Sequence, residues 1–384
     1  MKSNGLRVAV VGAGMGGLAC AAALRRLGLD AIVFEQAAEF RRIGAGIQVT
    51  PNAVKALRGL GLENRIRALG FEAARGYNRE AGSAAITNQL ELGDKIIERC
   101  GASLITMHRG DLHSALLSAL PTDAVVMGRR LTHYTQNADF VELAFEGGSV
   151  ERADMLVAAD GVHSVVRDQI FGAQPPKFTG RVAYRTTFPA SLIGDLEIDE
   201  RCKWWGADRH IVIYFTTRRK DEIYFVTSTP EPDFTVESWS AKGDLAELQS
   251  AYRSFHPTVR AVIAACPEAY KWALVVRDPL PTWSQGRVVL LGDACHPMTP
   301  YMAQGAASAI EDAVILARSL QDSRVGGLQD AIRVYESVRR PRATAIQQNS
   351  AENTWMRNAT SFEWVYGYDA WADPMQVSSE PVFN

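Results

Sequence analysis

The chain has 384 residues, a formal net charge of −2 and 47% hydrophobic residues, enough for two domains around a large shared core. The near balance of charge predicts no affinity for nucleic acid or a membrane surface, and no apolar run approaches the length of a membrane span or a signal peptide. Five widely spaced cysteines (Cys20, Cys100, Cys202, Cys266, Cys295) form no C-x-x-C pair, which points to a reduced, cytoplasmic protein without disulfides or structural zinc.

The first stretch, Leu6 to Gln36, reads as strand, glycine turn, helix and strand. The β-branched run Arg7 to Val11 leads into Gly12-Ala13-Gly14-Met15-Gly16-Gly17, followed by a small-residue helix over Leu18 to Leu27 and a second strand over Ala31 to Phe34. Gly12, Gly14 and Gly17 stand at G-x-G-x-x-G spacing. The first allows the tight turn, the second lets a pyrophosphate reach the backbone, and the third lets helix close on strand. The helix N-terminus offers free N–H groups to phosphates. Glu35 then ends the second strand where a ribose would sit, and its charge disfavours a 2′-phosphate. The stretch predicts FAD or NAD and does not choose between them; a purely structural glycine turn is the alternative.

Next, Arg41 to Gln48 is a basic and then glycine-rich loop, and Thr50-Pro51 supplies N-cap and N1 of a helix ending at Gly61. Gly76 to Gly93 predicts a short excursion of strands. His108 to Asp111 opens a helix over Leu112 to Leu120, and Val125 to Glu151 predicts short strands with a hairpin at Gly147-Gly148. Met155 to Ala159 is a buried strand ending in Asp160-Gly161-Val162-His163-Ser164, with Arg167 beyond. Arg181 to Thr229 alternates strongly and predicts an antiparallel sheet in a second domain, with a helical span over Leu245 to Ala265. At Arg287 the chain returns to a buried strand, Val288 to Leu291, ending in Gly292-Asp293. Helices are expected from Ala306 to about Leu320 and from Leu328 to Gln348, then an aromatic tail with Trp355, Trp364, Tyr366, Tyr368 and Trp371.

Asp160 and Asp293 thus sit, like Glu35, at the carboxyl ends of apolar strands, the edge at which open parallel sheets bind ligands. Either acid alone can also be a simple turn cap. Together, Gly12-x-Gly14-x-x-Gly17, Asp160-Gly161-x-x-Ser164-x-x-Arg167 and Arg287 through Pro297 resemble, in order and spacing, the motifs of the single-component flavin-dependent aromatic hydroxylases. The resemblance implies a doubly wound α/β FAD domain assembled from 1–72, 100–177 and 274–340. It also implies an inserted antiparallel-sheet substrate domain (73–99 and 178–273) and a C-terminal helix and tail (341–384). It further implies tightly bound FAD, NADH and O2 as co-substrates, and a C4a-hydroperoxyflavin that delivers electrophilic oxygen to an electron-rich ring. By that resemblance Gly12, Gly14, Met15, Gly17, Glu35, Gln36, Arg42, Gln48, Arg109, Leu131, Asp160, Asp293, Pro300, Gly305 and Ala306 contact the cofactor. Glu35 falls on the ribose, Arg42 and Arg109 near the phosphates, Asp293 by the ribityl chain and Pro300 to Ala307 by the isoalloxazine. No metal is expected, and a homodimer is compatible with the sequence without being required by it.

Lys203 to His210 with Tyr214, Asn353-Thr354-Trp355, and Trp364 to Asp369 are similar to the branch of this family that hydroxylates and decarboxylates hydroxypyridine carboxylates such as 6-hydroxynicotinate. His210 and Tyr214 lie four apart on a strand and share a face. An imidazole and a phenol there can hold a ring substituent and take its proton; a histidine satisfied within a sheet is the plainer alternative. Where that branch carries histidines, this chain has Gln48 and Tyr301. Gln48 cannot act as a base at neutral pH, so deprotonation falls to His210 or Tyr214, or the substrate differs. The other expectations are a salicylate-type decarboxylating hydroxylase and a flavoprotein that only oxidises NADH or acts as a sensor. No G-x-S-x-G offers hydrolase chemistry, and the remaining histidines lack metal-ligand spacing.

Overall fold

Strands covered on both faces read as unbroken apolar runs, and Arg7–Val11, Asp30–Phe34, Met155–Ala158 and Val288–Leu290 are of that kind. In the computed structural model, which describes residues 5–40, 42, 45–234, 241–322, 326–357 and 360–375, these strands run parallel in one six-stranded sheet. Its spatial order is Ser284–Gln285, Val288–Leu290, Met155–Ala158, Arg7–Val11, Asp30–Phe34, Val125–Val126, with only the first strand antiparallel to its neighbour. Helices Met15–Arg26 and Gly305–Gln321 pack closely beside it. A Cβ on Gly16 would come within 2.7 Å of Leu291 and 3.0 Å of Ala309, so the glycine sets the distance of approach. A three-stranded antiparallel sheet (Leu131–Gln136, Val141–Phe145, Val150–Ala153) adds Tyr134, Val141, Leu143 and Phe145 to the same core. Its hairpin turns at Gly147 and Gly148, with φ of +83° and +84°.

A second core is built on a seven-stranded sheet in the order Tyr270–Val276, Lys177–Pro189, Glu222–Pro230, His210–Phe215, Arg201–Trp205, Arg75–Glu80, Ile86–Glu91. All its pairings are antiparallel except that of Arg201–Trp205 with Arg75–Glu80. The strands expected over 76–93 and over 181–229 therefore belong to one sheet. One face packs Ile211, Ile213 and Phe225 against Tyr252, Phe255 and Val259. The opposite face, by the period of two, carries Arg201, Lys203, His210, Val212, Tyr214 and Tyr224. A short ribbon, Gly46–Val49 paired with Ile105–His108, and the segment around Pro300–Met302 lie on that face.

Several expectations change. The span expected to be helical from 245 to 265 is two helices, Leu245–Ala251 and Pro257–Ala265. Proline is tolerated in a first helical turn and His256 caps the new start, its ring accepting from the Thr258 N–H. The first helix begins at Met15, not Leu18. The helix placed over 112–120 runs Arg109–Leu117, capped by His108 accepting from Gly110 N–H at 3.0 Å. Gln48 lies in the ribbon strand rather than a loop; Arg41, Ile43 and Gly44 of that loop lie outside the described residues. Helix Leu328–Ala351 runs unbroken through Pro341, so the boundary expected at 341 falls inside it.

The tail returns to the front of the molecule. Trp371 Nε1 donates to the Ala56 carbonyl at 2.9 Å and Lys55 Nζ to that of Gly367 at 2.5 Å. Helix Pro51–Gly59 accepts the indole because Gly59 lacks a side chain: a Cβ there would lie 1.9 Å from Trp371. Among the described residues no helix is long and apolar enough to cross a membrane, and all five cysteines are buried and unbridged.

Candidate active site

Because the central strands are parallel, their carboxyl ends share one edge, and Gly12, Glu35, Asp160 and Asp293 meet there. Gly12 holds φ of +100°, and a Cβ would sit 2.3 Å from the Ala159 carbonyl; a Cβ on Gly17 would sit 1.9 Å from that of Gly12. Both glycines are required by their neighbours. At Gly14 a Cβ would meet nothing within 4 Å, so this position faces open space. Gly14 is also the N-cap of helix Met15–Arg26, and no side chain caps it, which leaves the first N–H groups for an anion. Glu35 stabilises the turn itself, accepting from Ala13 N–H and Ala37 N–H, each at 2.8 Å; lone pairs remain for a ribose.

Arg109 and Asp293 are exposed by surface area yet surrounded by protein, as side chains lining a deep open cleft must be. Desolvation lowers the Arg109 guanidinium pKa, opposed by Asp293 and Tyr224. Desolvation raises the Asp293 carboxyl, opposed by His296 and Arg109. Asp160 is raised by the same cause, and its Oδ1 is buried with no partner among the described residues. Gly305 lies against Asp293, a Cβ there approaching Oδ1 to 4.0 Å. Acceptors at Glu35, Asp160 and Asp293, a cation at Arg109 and free N–H groups at Met15 suit the hydroxyls and diphosphate of FAD. Ala306 follows in the same helix start and Pro300 is exposed at the cleft. Arg42 is engaged elsewhere, paired with Asp111 at 3.2 Å and Glu222 at 3.7 Å. Gln36 is exposed beside Glu35, and Leu131 is buried at the start of its strand.

Next to this cleft is a cavity lined among others by Gln48, Arg201, Lys203, His210, Tyr301, Trp355 and Tyr366. Three of the four residues expected to act on substrate, Gln48, His210 and Tyr301, are thus brought together. The fourth, Tyr214, sits beside them, its ring 5.0 Å from Tyr224. Its hydroxyl lies against Gly46, where a Cβ would approach it to 2.9 Å. Burial and Tyr224 push the Tyr214 phenol well above its usual range, so it keeps its proton and serves as a hydrogen-bonding phenol. The His210 imidazole is held well below its usual value by burial, with Lys203 and Arg181 contributing. It is neutral at pH 7, touches the rings of Trp205 and Tyr301, and has no hydrogen bond to its ring among the described residues. Its free nitrogen faces the cavity. Tyr301 bonds Ser228 Oγ at 2.9 Å, which also accepts from Arg181 Nε at 2.8 Å. Gln48 Oε1 accepts from Arg201 Nε at 2.8 Å.

Arg201 and Lys203 carry no signal in sequence beyond their type, and only the strand register shows that they face the cavity. A different buried cluster is fully compensated. Asp312 accepts from Arg339 at 2.8 Å, bonds His296 at 2.6 Å and accepts from Gly292 N–H at 3.1 Å. Glu311 meets Arg339 at 2.7 Å, Arg342 at 2.9 Å and Asn52 at 2.6 Å. Cys295, His296 and Asp312 place metal-type ligand atoms within 4.8 Å of one another, but with Arg339 engaging Asp312 the cluster reads as a staple between helices.

Comparison with known proteins agrees with this geometry. The FAD binding domain family matches residues 5–350. The 6-hydroxynicotinate 3-monooxygenase of Bordetella bronchiseptica is 46% identical over 374 residues, covering 96% of this chain and 97% of its own. That of Pseudomonas fluorescens is 42% identical over 97% of each chain. A crystal structure of Klebsiella pneumoniae HpxO complexed with FAD and uric acid superposes with a TM-score of 0.82 at 28% identity, covering 94% of this chain and 91% of that one. With an acid-tipped dinucleotide cleft opening onto an aromatic-lined cavity, the chain belongs to the FAD-dependent aromatic hydroxylases.

Proposed function

We propose that this monooxygenase consumes NADH and O2 to hydroxylate a carboxylated hydroxypyridine ring of the 6-hydroxynicotinate type, with loss of CO2 where the carboxylate occupies the attacked carbon. Gly14, Met15 and Arg109 would hold the FAD diphosphate, and Glu35, Asp160 and Asp293 its hydroxyls. Bound FAD, reduced by NADH and exposed to O2, supplies the electrophilic oxygen. The protein's own task is to make the ring electron-rich and to aim it. His210, neutral and without a hydrogen-bond partner among the described residues, accepts the proton of the ring hydroxyl, since a ring oxyanion feeds charge into the carbon para to it. Tyr301, fixed by Ser228, donates to a ring substituent, and Tyr214 remains a phenol that orients the neighbouring wall. Gln48 holds Arg201 and takes no part as a base. Trp355 and Tyr366 narrow the cavity around one ring.

The observation that carries this reading is the His210 ring, without a hydrogen-bond partner among the described residues, in a cavity beside the dinucleotide cleft. Steady-state NADH and NADPH oxidation with 6-hydroxynicotinate, salicylate or no ring, coupled to product identification, tests it. Ring-stimulated NADH use with a hydroxylated product is expected. A rate indifferent to every ring, with no hydroxylated product, would overturn it.

A further inference from the structure

Arg201 and Lys203 stand two apart on one strand, so both point from the same face of the sheet into the cavity. Both are buried, at 8% and 7% exposure. Gly76 on the adjacent strand makes room for the guanidinium, since a Cβ there would meet Arg201 Nη1 at 2.9 Å. Gln48 orients it through Nε, while Nη1 is buried without a partner among the described residues. The Lys203 ammonium lies 3.7 Å from the centre of the Trp205 ring, and no carboxylate pairs with either cation among the described residues. Two buried cations without an anion are unfavourable in isolation. Burial, with Arg201 and Arg357 near, accordingly lowers the Lys203 pKa well below its ordinary value, a cost that an arriving anion removes.

Building on the hydroxylase reading above, we propose that Arg201 and Lys203 clamp a substrate carboxylate that remains on the product. Loss of CO2 moves the bonding pair of the ring–carboxylate bond into the ring, which draws negative charge out from between the two cations. The clamp therefore stabilises the carboxylate more than the state on the way to CO2, and a clamped group is a handle that survives. The carbon attacked is then another one, bearing hydrogen. The balance is ring C–H + O2 + NADH + H+ giving ring C–OH + H2O + NAD+, with the carboxylate unchanged. The substrate class is a hydroxypyridine whose carboxylate lies off the carbon para to its hydroxyl.

Three rings separate the possibilities on the FAD-loaded enzyme: 6-hydroxypyridine-2-carboxylate, 6-hydroxynicotinate labelled with 13C in the carboxylate, and uncharged 2-hydroxypyridine. Binding is read from the shift of the flavin absorption band, and turnover from product mass and labelled CO2. The 2-carboxylate should bind roughly 10- to 100-fold tighter than 2-hydroxypyridine and gain one oxygen without losing carbon. Lys203→Met and Arg201→Met should each abolish most of that preference, and Lys203→Arg should restore it. Equal binding of charged and uncharged rings, or a preference untouched in both Met variants, would sink the clamp. Turnover confined to 6-hydroxynicotinate with stoichiometric labelled CO2 would sink carboxylate retention. If no ring stimulates NADH use, the hydroxylase reading fails instead, and the absorption titrations still decide the clamp.

Discussion

Two buried clusters of charge in this protein answer the same problem in opposite ways. Around Arg339 every charge has its counterpart: Glu311 and Asp312 on helix Gly305–Gln321 meet Arg339 and Arg342 on helix Leu328–Ala351, with His296 and Asn52 closing the set. Around Arg201 the cations Arg201 and Lys203 and the neutral His210 line one cavity without a carboxylate paired to either cation among the described residues. A compensated cluster fastens elements together. An uncompensated one is unfavourable until something of the opposite sign enters, so its location marks where a ligand belongs.

The contrast can be broken most severely at the first cluster. Arg339→Met removes a charge between two buried carboxylates and should destabilise the fold by about 3–5 kcal/mol, read by urea unfolding; a change under about 1 kcal/mol would show that the cluster is not a staple. At the second cluster, His210→Ala should lower ring-stimulated hydroxylation by about 10²–10⁴-fold with FAD content retained. Unchanged turnover removes His210 from the mechanism. The same site has a pH signature. An imidazole pKa held below 6.5 by burial, Lys203 and Arg181 keeps the neutral form at lower pH, so kcat/KM should stay level as pH falls through 6.5 and drop only below it. A midpoint at the ordinary histidine value would contradict a buried base. A smaller effect is expected in the cleft, where Glu35→Ala should weaken FAD binding by roughly 10- to 100-fold; full flavin occupancy after gel filtration would deny the ribose contact. The smallest effect has the opposite sign. Lys203→Met should stabilise the ring-free enzyme by about 1 kcal/mol, because it deletes an uncompensated charge; a lower thermal midpoint would mean that Lys203 already has its partner.

The cofactor cleft was legible in sequence because each of its positions has a local reason for its residue type. Gly12 and Gly17 have no room for a Cβ, and Glu35, Asp160 and Asp293 end apolar strands whose length and character are visible in a short window. The cavity was only half legible. His210 and Tyr301 stood out by resemblance, but all five residues of Arg201–Trp205 are buried, so polar and apolar alternation does not say which face is which. That information lies in the pairing of Lys203 with Val212 and of Cys202 with Tyr77, contacts that no window of sequence contains. The protonation of Tyr214, offered in sequence as an alternative base to His210, was hidden for a related reason: burial and Tyr224, ten positions along the chain on the neighbouring strand, raise its phenol above the usual range. The helix break at His256-Pro257 was readable in principle, since proline opens helices more readily than it continues them.

The cavity wall made by Trp355 and Tyr366 leaves the ribosome after everything it closes upon. A nascent chain can already shape the glycine turn that begins the dinucleotide cleft, but the cavity lacks its Trp355 and Tyr366 wall until this later segment has folded back over helix Pro51–Gly59. The cavity is thus completed later than the cleft it adjoins, because two of its walls come from residues beyond 350.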